Sequence, residues 1–442
     1  MAAGRRLWLL MAFSVLLGGL LYYFLSGWPF YLDPEMEIDP GRPYTLKFWD
    51  YPLPLVWKDG TTYLEFVQGV IEDFQREYPN VQIIYHPLGF ATGPGELSQA
   101  LASGRPPDIY SEPFPTQMVH HQGLQVPVTH YMPPEDKAFY HPLVLALQEA
   151  KDDIWAWPAW VSPQVWIGNR QLLREGGLDV EQVQTLGWNW EDYMALAQGF
   201  EGKNHGGFVF STGSCLELFS NLLANNGLVG EKDDDFPLKL EETATLFQTL
   251  HAEGLWRDAT EKWPWVKEFW EGKIALLGPV NGWVIRGSGV GARRSRHCPE
   301  LVFLPPPHRL GAREYIKPIV ARVCVFRQRR YRGADNVKVA MEFARYFSHR
   351  QGQGLAPQLW ALPAFNSRSL LDKENNELSL ANIQFLLRAQ NYLLPTIIAQ
   401  NQWEREDWKK EVLAPRLQKL LKGEINPREF ATLIEEELKN ES

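Results

Sequence analysis

The chain has 442 residues, 45% hydrophobic and 22% charged, a balance that suits a globular protein with room for two domains and a sizeable core. Its net charge of −9 argues against a general nucleic-acid binder, which presents a basic face. Three cysteines, Cys215, Cys298 and Cys324, are too few and too scattered for a disulfide framework or a zinc motif.

Arg5 and Arg6 precede an unbroken, weakly polar run over 7–25. Nineteen helical residues span about 28 Å, close to the thickness of a bilayer's hydrocarbon core. Tyr22, Tyr23 and Trp28 stand where an interfacial aromatic belt would stand, and Asp33, Glu35, Glu37 and Asp39 follow with no Lys or Arg before Arg42. The positive-inside rule then places the N-terminus in the cytoplasm and the rest of the chain outside. Segment 1–30 is expected to be a membrane anchor. A cleaved signal peptide is the alternative, although it has a shorter apolar core and a better cleavage site than 25–27 offers. Residues 31–43 read as a linker.

Alternation over 44–49 predicts a strand ending at Trp49 and Asp50. Thr62 and Glu65 form a capping box for a helix whose apolar face carries Leu64, Val67, Ile71, Phe74 and Tyr78. A strand over 81–86, a short helix around 96–102 and a strand over 107–110 complete a βαβαβ pattern, which implies parallel pairing. Ligands in such sheets bind beyond the carboxyl ends of the strands, here Trp49-Asp50, the loop 87–95, and Ser111-Glu112. His120 and His121 fall on a predicted helix, where neighbours point in different directions and form no joint metal site.

An aromatic extended run over 154–160 leads to a strand over 165–168 and a helix over 171–175. Asn189 caps a helix over 189–197. A strand over 207–210 and helices over 216–224 and 241–251 follow. The segment 269–283 is the most telling: a helix end, a turn at Gly272, a short apolar strand over 274–277, a Gly-Pro turn and then Trp283. It holds no nucleophile, base or metal ligand. It delivers one large flat ring to the mouth of a sheet, which is binding equipment. Beyond it, Gly287, Gly289 and Gly291 precede Arg293, Arg294 and Arg296 in what reads as a mobile basic loop. Residues 336–347 form a helix with Ala340, Phe343, Ala344 and Phe347 on one face, and Asn426 caps a C-terminal helix through Glu429. The sequence has no Gly-x-Ser-x-Gly, His-Glu-x-x-His or P-loop signature. Each cysteine reads as a small buried residue, with one bridge between some pair left open.

Taken in order, these pieces resemble the extracellular solute-binding proteins of ABC importers, in the maltose-binding-like branch that binds sugars and oligosaccharides. The resemblance runs from Tyr44 to the C-terminus. It rests on 66–81 followed by Pro107-Asp-Ile-Tyr110, on 153–158 followed by 169–179, on 188–193, and above all on the segment that begins at Phe269 and ends at Trp283. It implies an α/β, two-lobed, periplasmic-binding-protein-like fold with a multi-strand hinge and an interlobe cleft, here preceded by an N-terminal transmembrane helix. The crossings fall near Ala159, Ile319 and Pro363. Lobe one is then 44–158 plus 319–363, and lobe two is 159–318 plus 364–442. The implied ligand-binding residues are Trp49, Asp50, Glu112, Trp160, Ser162, Ser214, Trp283 and Arg322. The Trp rings would stack on a sugar, or pack in the core. Asp50 and Glu112 would accept hydrogen bonds from hydroxyls. Arg322 departs from the family pattern and either reaches into the cleft, favouring an acidic ligand, or faces solvent. The lipid-bearing cysteine usual in the family is absent.

The resulting expectation is a membrane-tethered, extracytoplasmic binding protein that captures a sugar for an ABC importer. Its partners would be the permease subunits and the membrane, with no nucleic acid, catalytic residue, metal or cofactor. A ligand-sensing receptor on the same fold and an extracytoplasmic carbohydrate-active enzyme are the alternatives.

Overall fold

The computed structural model describes residues 32–115, 119–120, 123–200, 209–211, 215–227, 234–258, 264–289, 299–330, 332–365, 378–393 and 406–441. Among these no helix is long and apolar enough to cross a membrane. The anchor expected over 1–30 lies outside the described residues.

Strand β1 (Tyr44–Asp50) buries Tyr44, Leu46 and Phe48 at alternate positions. Thr62 caps α1 (Tyr63–Glu77) through the expected box with Glu65, and Val67, Ile71 and Phe74 turn inward. Strand β2 (Val81–Pro87) pairs in parallel with β1 along its whole length. After α2 (Gly93–Ala102), β3 (Ile109–Glu112) pairs in parallel with the other edge of β1. It starts later than 107 because Asp108 turns its carboxylate onto the Lys47 N–H at 2.8 Å.

Short strands β4 (Gln125–Val126), β5 (Glu149–Ala150) and β6 (Asp153–Ile154) lead into β7 (Trp157–Asn169). The two segments expected at 154–160 and 165–168 are thus largely one strand. The rest of the chain adds β8 (Val209–Ser211), α3 (Cys215–Ala224), α4 (Phe236–Ala252), β9 (Trp256–Asp258) and β10 (Leu276–Asn281). Then come α5 (Gly282–Gly289), β11 (Leu301–Leu304), β12 (Pro318–Phe326), α6 (Ala334–Arg350), β13 (Leu362–Pro363) and α7 (Pro427–Glu441). Helix α4 begins upstream of 241 because Pro237 suits a first helical turn.

The strands run in the order β2-β1-β3-β12-β7-β10-β8-β9, with β11 and β13 also on β7. Residues 157–163 of β7 pair with β12, and residues 164–169 pair with β10 and β11. One strand therefore carries two halves of the sheet. Ile319 lies opposite Ser162, and Leu362 and Pro363 lie opposite Val161 and Trp160, so the three expected crossings stand side by side. One large core joins α1, α6 and β1–β3 to the middle of β7, and a second gathers α3, α4 and α7.

The telling segment differs from its expected outline. The chain does turn at Gly272, where φ is +72°. However, β10 continues through Gly278 and Pro279, with a register shift against β7 between Leu277 and Val280. A proline has no N–H to give the ladder, so the irregularity falls there. Trp283 is the second residue of α5 and does not follow a turn. Gly287 to Gly289 belong to that helix, and the remainder of the expected basic loop lies outside the described residues. Cys324 is buried in β12 and Cys215 is partly buried, while Cys298 lies outside the described residues.

Candidate functional site

The carboxyl ends of β1 and β3 meet beside β12. Asp50, the last residue of β1, is fully buried. It accepts a hydrogen bond from the Tyr63 hydroxyl at 2.9 Å and another from Tyr85 at 3.3 Å. Burial pushes its carboxyl up to about 6, against hydrogen bonds from Ser111 and Tyr63 that favour the charged form. Asp50 therefore knits α1 and β2 to the sheet and shows no surface to a ligand, contrary to its expected role. Trp49 is partly buried beside His86, with ring centroids 5.1 Å apart.

Glu112 ends β3 directly opposite Arg322 in the antiparallel register with β12. Arg322 donates from Nε and Nη2 to Oε2 of Glu112, each at 2.9 Å, and Nε2 of His120 lies 2.7 Å from the same oxygen. The side chains of Arg322, Glu112 and His120 are 2%, 7% and 8% exposed, so this charge array is mostly buried, with Glu112 and His120 at the wall of a cavity. Burial would raise the Glu112 carboxyl, but the Arg322 and His120 charges outweigh it and hold it below the ordinary range. Burial would likewise lower His120, yet Glu112 and Cys324 raise it to about 9, so the ring is an imidazolium at neutral pH. Arg322 thus neither reaches into a cleft nor faces solvent: a buried carboxylate needs its charge, and the register supplies it. His120 lies in a bend and not on a helix.

Oxygen, nitrogen and sulfur atoms of Glu112, His120 and Cys324 lie within 4.8 Å of one another, a donor set zinc accepts. The Arg322 guanidinium sits 3.3 Å from Nε2 of His120 and already binds the Glu112 oxygen. A divalent ion would stand against a fixed positive charge, so the arrangement fits an ion-pair network better than a metal centre.

On β7, Trp160 and Ser162 are fully buried. Nδ2 of Asn281 donates to the Ser162 carbonyl at 3.0 Å and to its Oγ at 3.1 Å, pinning β10 to β7. Ser162 is therefore committed to the scaffold. Ser214 lies outside the described residues. Trp283 is partly buried at the start of α5. The preceding Gly282 is required by crowding: an added Cβ would lie 2.9 Å from Trp360 Cβ and 3.1 Å from the Trp360 carbonyl. Arg286, one turn on, donates to Oε1 of Gln358 at 2.7 Å and fixes the helix further.

One ring joins these walls, and it is Phe114, just beyond β3. Its centroid is 4.8 Å from Trp283, 6.2 Å from Trp160 and 6.0 Å from Phe90. Aromatic pairs at such separations contribute roughly 0.5–1.5 kcal/mol each beyond burial. Phe114 was absent from the expected set, because its place in the site comes from contacts with Trp283 and Trp160 on other elements. Beside it opens a cavity of about 270 Å³, lined by Tyr51, Phe90, Leu97, Tyr110, Glu112, Phe114 and His120 among others. The hydroxyls of Tyr51 and Tyr110 are 2.8 Å apart and mutually satisfied. Flat apolar walls with few polar groups are the usual build of a small-molecule site. The indole N–H groups of Trp283 and Trp160 are buried without an acceptor among the described residues.

A family model for bacterial extracellular solute-binding proteins matches residues 58–282, just over half of the chain. No curated protein matches the sequence. Among solved structures, the GacH receptor of Streptomyces glaucescens, known unliganded and with acarbose, is 17% identical, with a TM-score of 0.68, over 90% of this chain and 98% of that one. The sugar-binding protein MalE of Xanthomonas citri is 13% identical, with a TM-score of 0.69, over 90% and 96%. An ABC substrate-binding protein of Listeria monocytogenes, in complex with cycloalternan, is 15% identical, with a TM-score of 0.67, over 90% and 98%. At these identities the likeness is one of fold: two α/β lobes of the periplasmic-binding-protein type.

Proposed function

The chain belongs to the bacterial extracellular solute-binding protein family, and on that premise we propose that it captures a sugar or oligosaccharide between its lobes for an ABC importer. Lobe one is 44–158 plus 319–363, and lobe two is 159–318 plus 364–442. The adjacent pairing of β7, β12 and β13 supports a hinge at their common crossing. The apolar run over 7–25 tethers the protein, the rest of the chain faces outward, and the closed form docks on the permease. Covalent chemistry has no place in this reading.

The observation that carries it is the aromatic chain at the strand ends. Phe90 and Phe114 come from one half of the sheet and line a cavity together with Glu112, and Phe114 also meets Trp283 of the other half. The flat ring of Trp283 matches the C–H face of a pyranose, and a carboxylate accepts its hydroxyls. Glu112 keeps that role because it lines the cavity. The sugars named with the relatives support the class of ligand. A ligand that binds only the folded state raises the melting temperature by mass action. Full-length protein heated with mono- and oligosaccharides, acidic sugars and polyamines should be stabilised by a neutral sugar, and Trp283→Ala should lose that response. An unchanged response in the variant would remove Trp283 from the site.

A further inference from the structure

We infer that Phe114 is a specificity-determining residue that competes with the ligand for the face of Trp283. This rests on the cleft reading above and adds to it. The Phe114–Trp283 contact joins the loop after β3 to the start of α5, so it bridges the two halves of the molecule. Carbon atoms in contact sit about 3.5–4 Å apart, so a sugar ring between two aromatic faces needs those faces roughly 7–8 Å apart. The two centroids are 4.8 Å apart, with the planes at 38°. No pyranose fits between them in this arrangement.

Phe114 lies two residues past the end of β3, whose last residue, Glu112, is held by Arg322 and His120. The Phe114 side chain is partly exposed, and the cavity of about 270 Å³ on its far side, walled by Phe90 and Tyr110, is a second apolar berth. A sugar that reaches Trp283 must therefore displace the Phe114 ring. Only a ligand with an apolar ring face replaces the lost contact. A small polyol with hydroxyls on every side does not. The displaced contact lowers sugar affinity about three- to tenfold, the worth of one aromatic pair.

The test is calorimetric titration of full-length wild type, Phe114→Ala and Phe114→Leu with maltotriose, xylotriose and tagatose. Alongside it, ¹⁹F NMR follows protein labelled with 5-fluorotryptophan, with the Trp283 signal assigned by its loss in Trp283→Phe. Phe114→Ala should bind the sugar about three- to tenfold more tightly, and Phe114→Leu should shift affinity in the same direction. In the ligand-free protein either variant should move the Trp283 signal, and sugar should move the wild-type signal the same way. Equal or weaker binding by the variants, with wild type still binding, overturns the competition and leaves the cleft reading standing. A Trp283 signal indifferent to Phe114 without ligand overturns it as well. Failure of every sugar on every variant sinks the sugar reading itself.

Discussion

Asp50 holds a carboxyl in full burial against three hydroxyl-bearing neighbours, Tyr63, Tyr85 and Ser111. Its rise to about 6 means that the folded chain keeps a proton that the unfolded chain releases near pH 4. Stability from this group is therefore highest in acid and falls as pH rises from about 4 to about 6. At about 1.4 kcal/mol per pH unit the loss by neutral pH is about 3 kcal/mol. Asp50→Asn keeps an acceptor oxygen without the charge. Its urea-unfolding free energy should gain on wild type by up to that amount between pH 4 and 7, and a difference constant with pH would contradict the assignment. The sequence located Asp50 and Glu112 correctly at strand ends but could not say what would occupy them. Their partners Tyr85 and Arg322 lie 35 and 210 residues away, and only the sheet register brings them in. Phe114 was missed for the same reason, since its value comes from Trp283 on another element.

At the scale of elements, local chemistry was readable wherever it was self-contained. The boxes Thr62–Glu65, Asn189–Asp192 and Asn426–Glu429 each close within one helical turn, and all three cap helices as expected. The strand β7 was harder, because Pro158 and Pro163 break an alternation that neighbouring strands then restore. The segment ending at Trp283 was readable in kind and wrong in detail. Phe269, Trp270 and Ile274 to Leu277 are buried in the core, while the Gly-Pro step continues a strand. What positions Trp283 is Gly282, pressed against Trp360. Gly282→Ala should cost about 1–3 kcal/mol through overpacking, since the opposing atoms include backbone. It should also weaken sugar binding by tilting α5, with urea unfolding and calorimetry as the two readings. Normal stability and normal binding together would show that the close approach does not set the ring.

For the whole molecule, the resemblance to solute-binding proteins implied two lobes, and the matched family and structural relatives bear out that fold. The strands β7, β12 and β13 pair side by side where the two halves of the sheet meet. The network of Arg322, Glu112 and His120 sits at that junction, where β3 meets β12. It turns a residue that looked like a lure for acidic ligands into part of the frame. The ligand class then depends on flat apolar rings and one carboxylate, which favours a neutral sugar. The central claim is capture without chemistry, and the most direct measurement is calorimetric titration of the full-length protein with maltotriose, xylotriose and tagatose. The account predicts saturable one-to-one heat for at least one sugar, returning to baseline after each injection, with a negative heat-capacity change from burying apolar surface. No saturable heat with any of them, or heat that continues after saturation as the sugar is consumed, would contradict it.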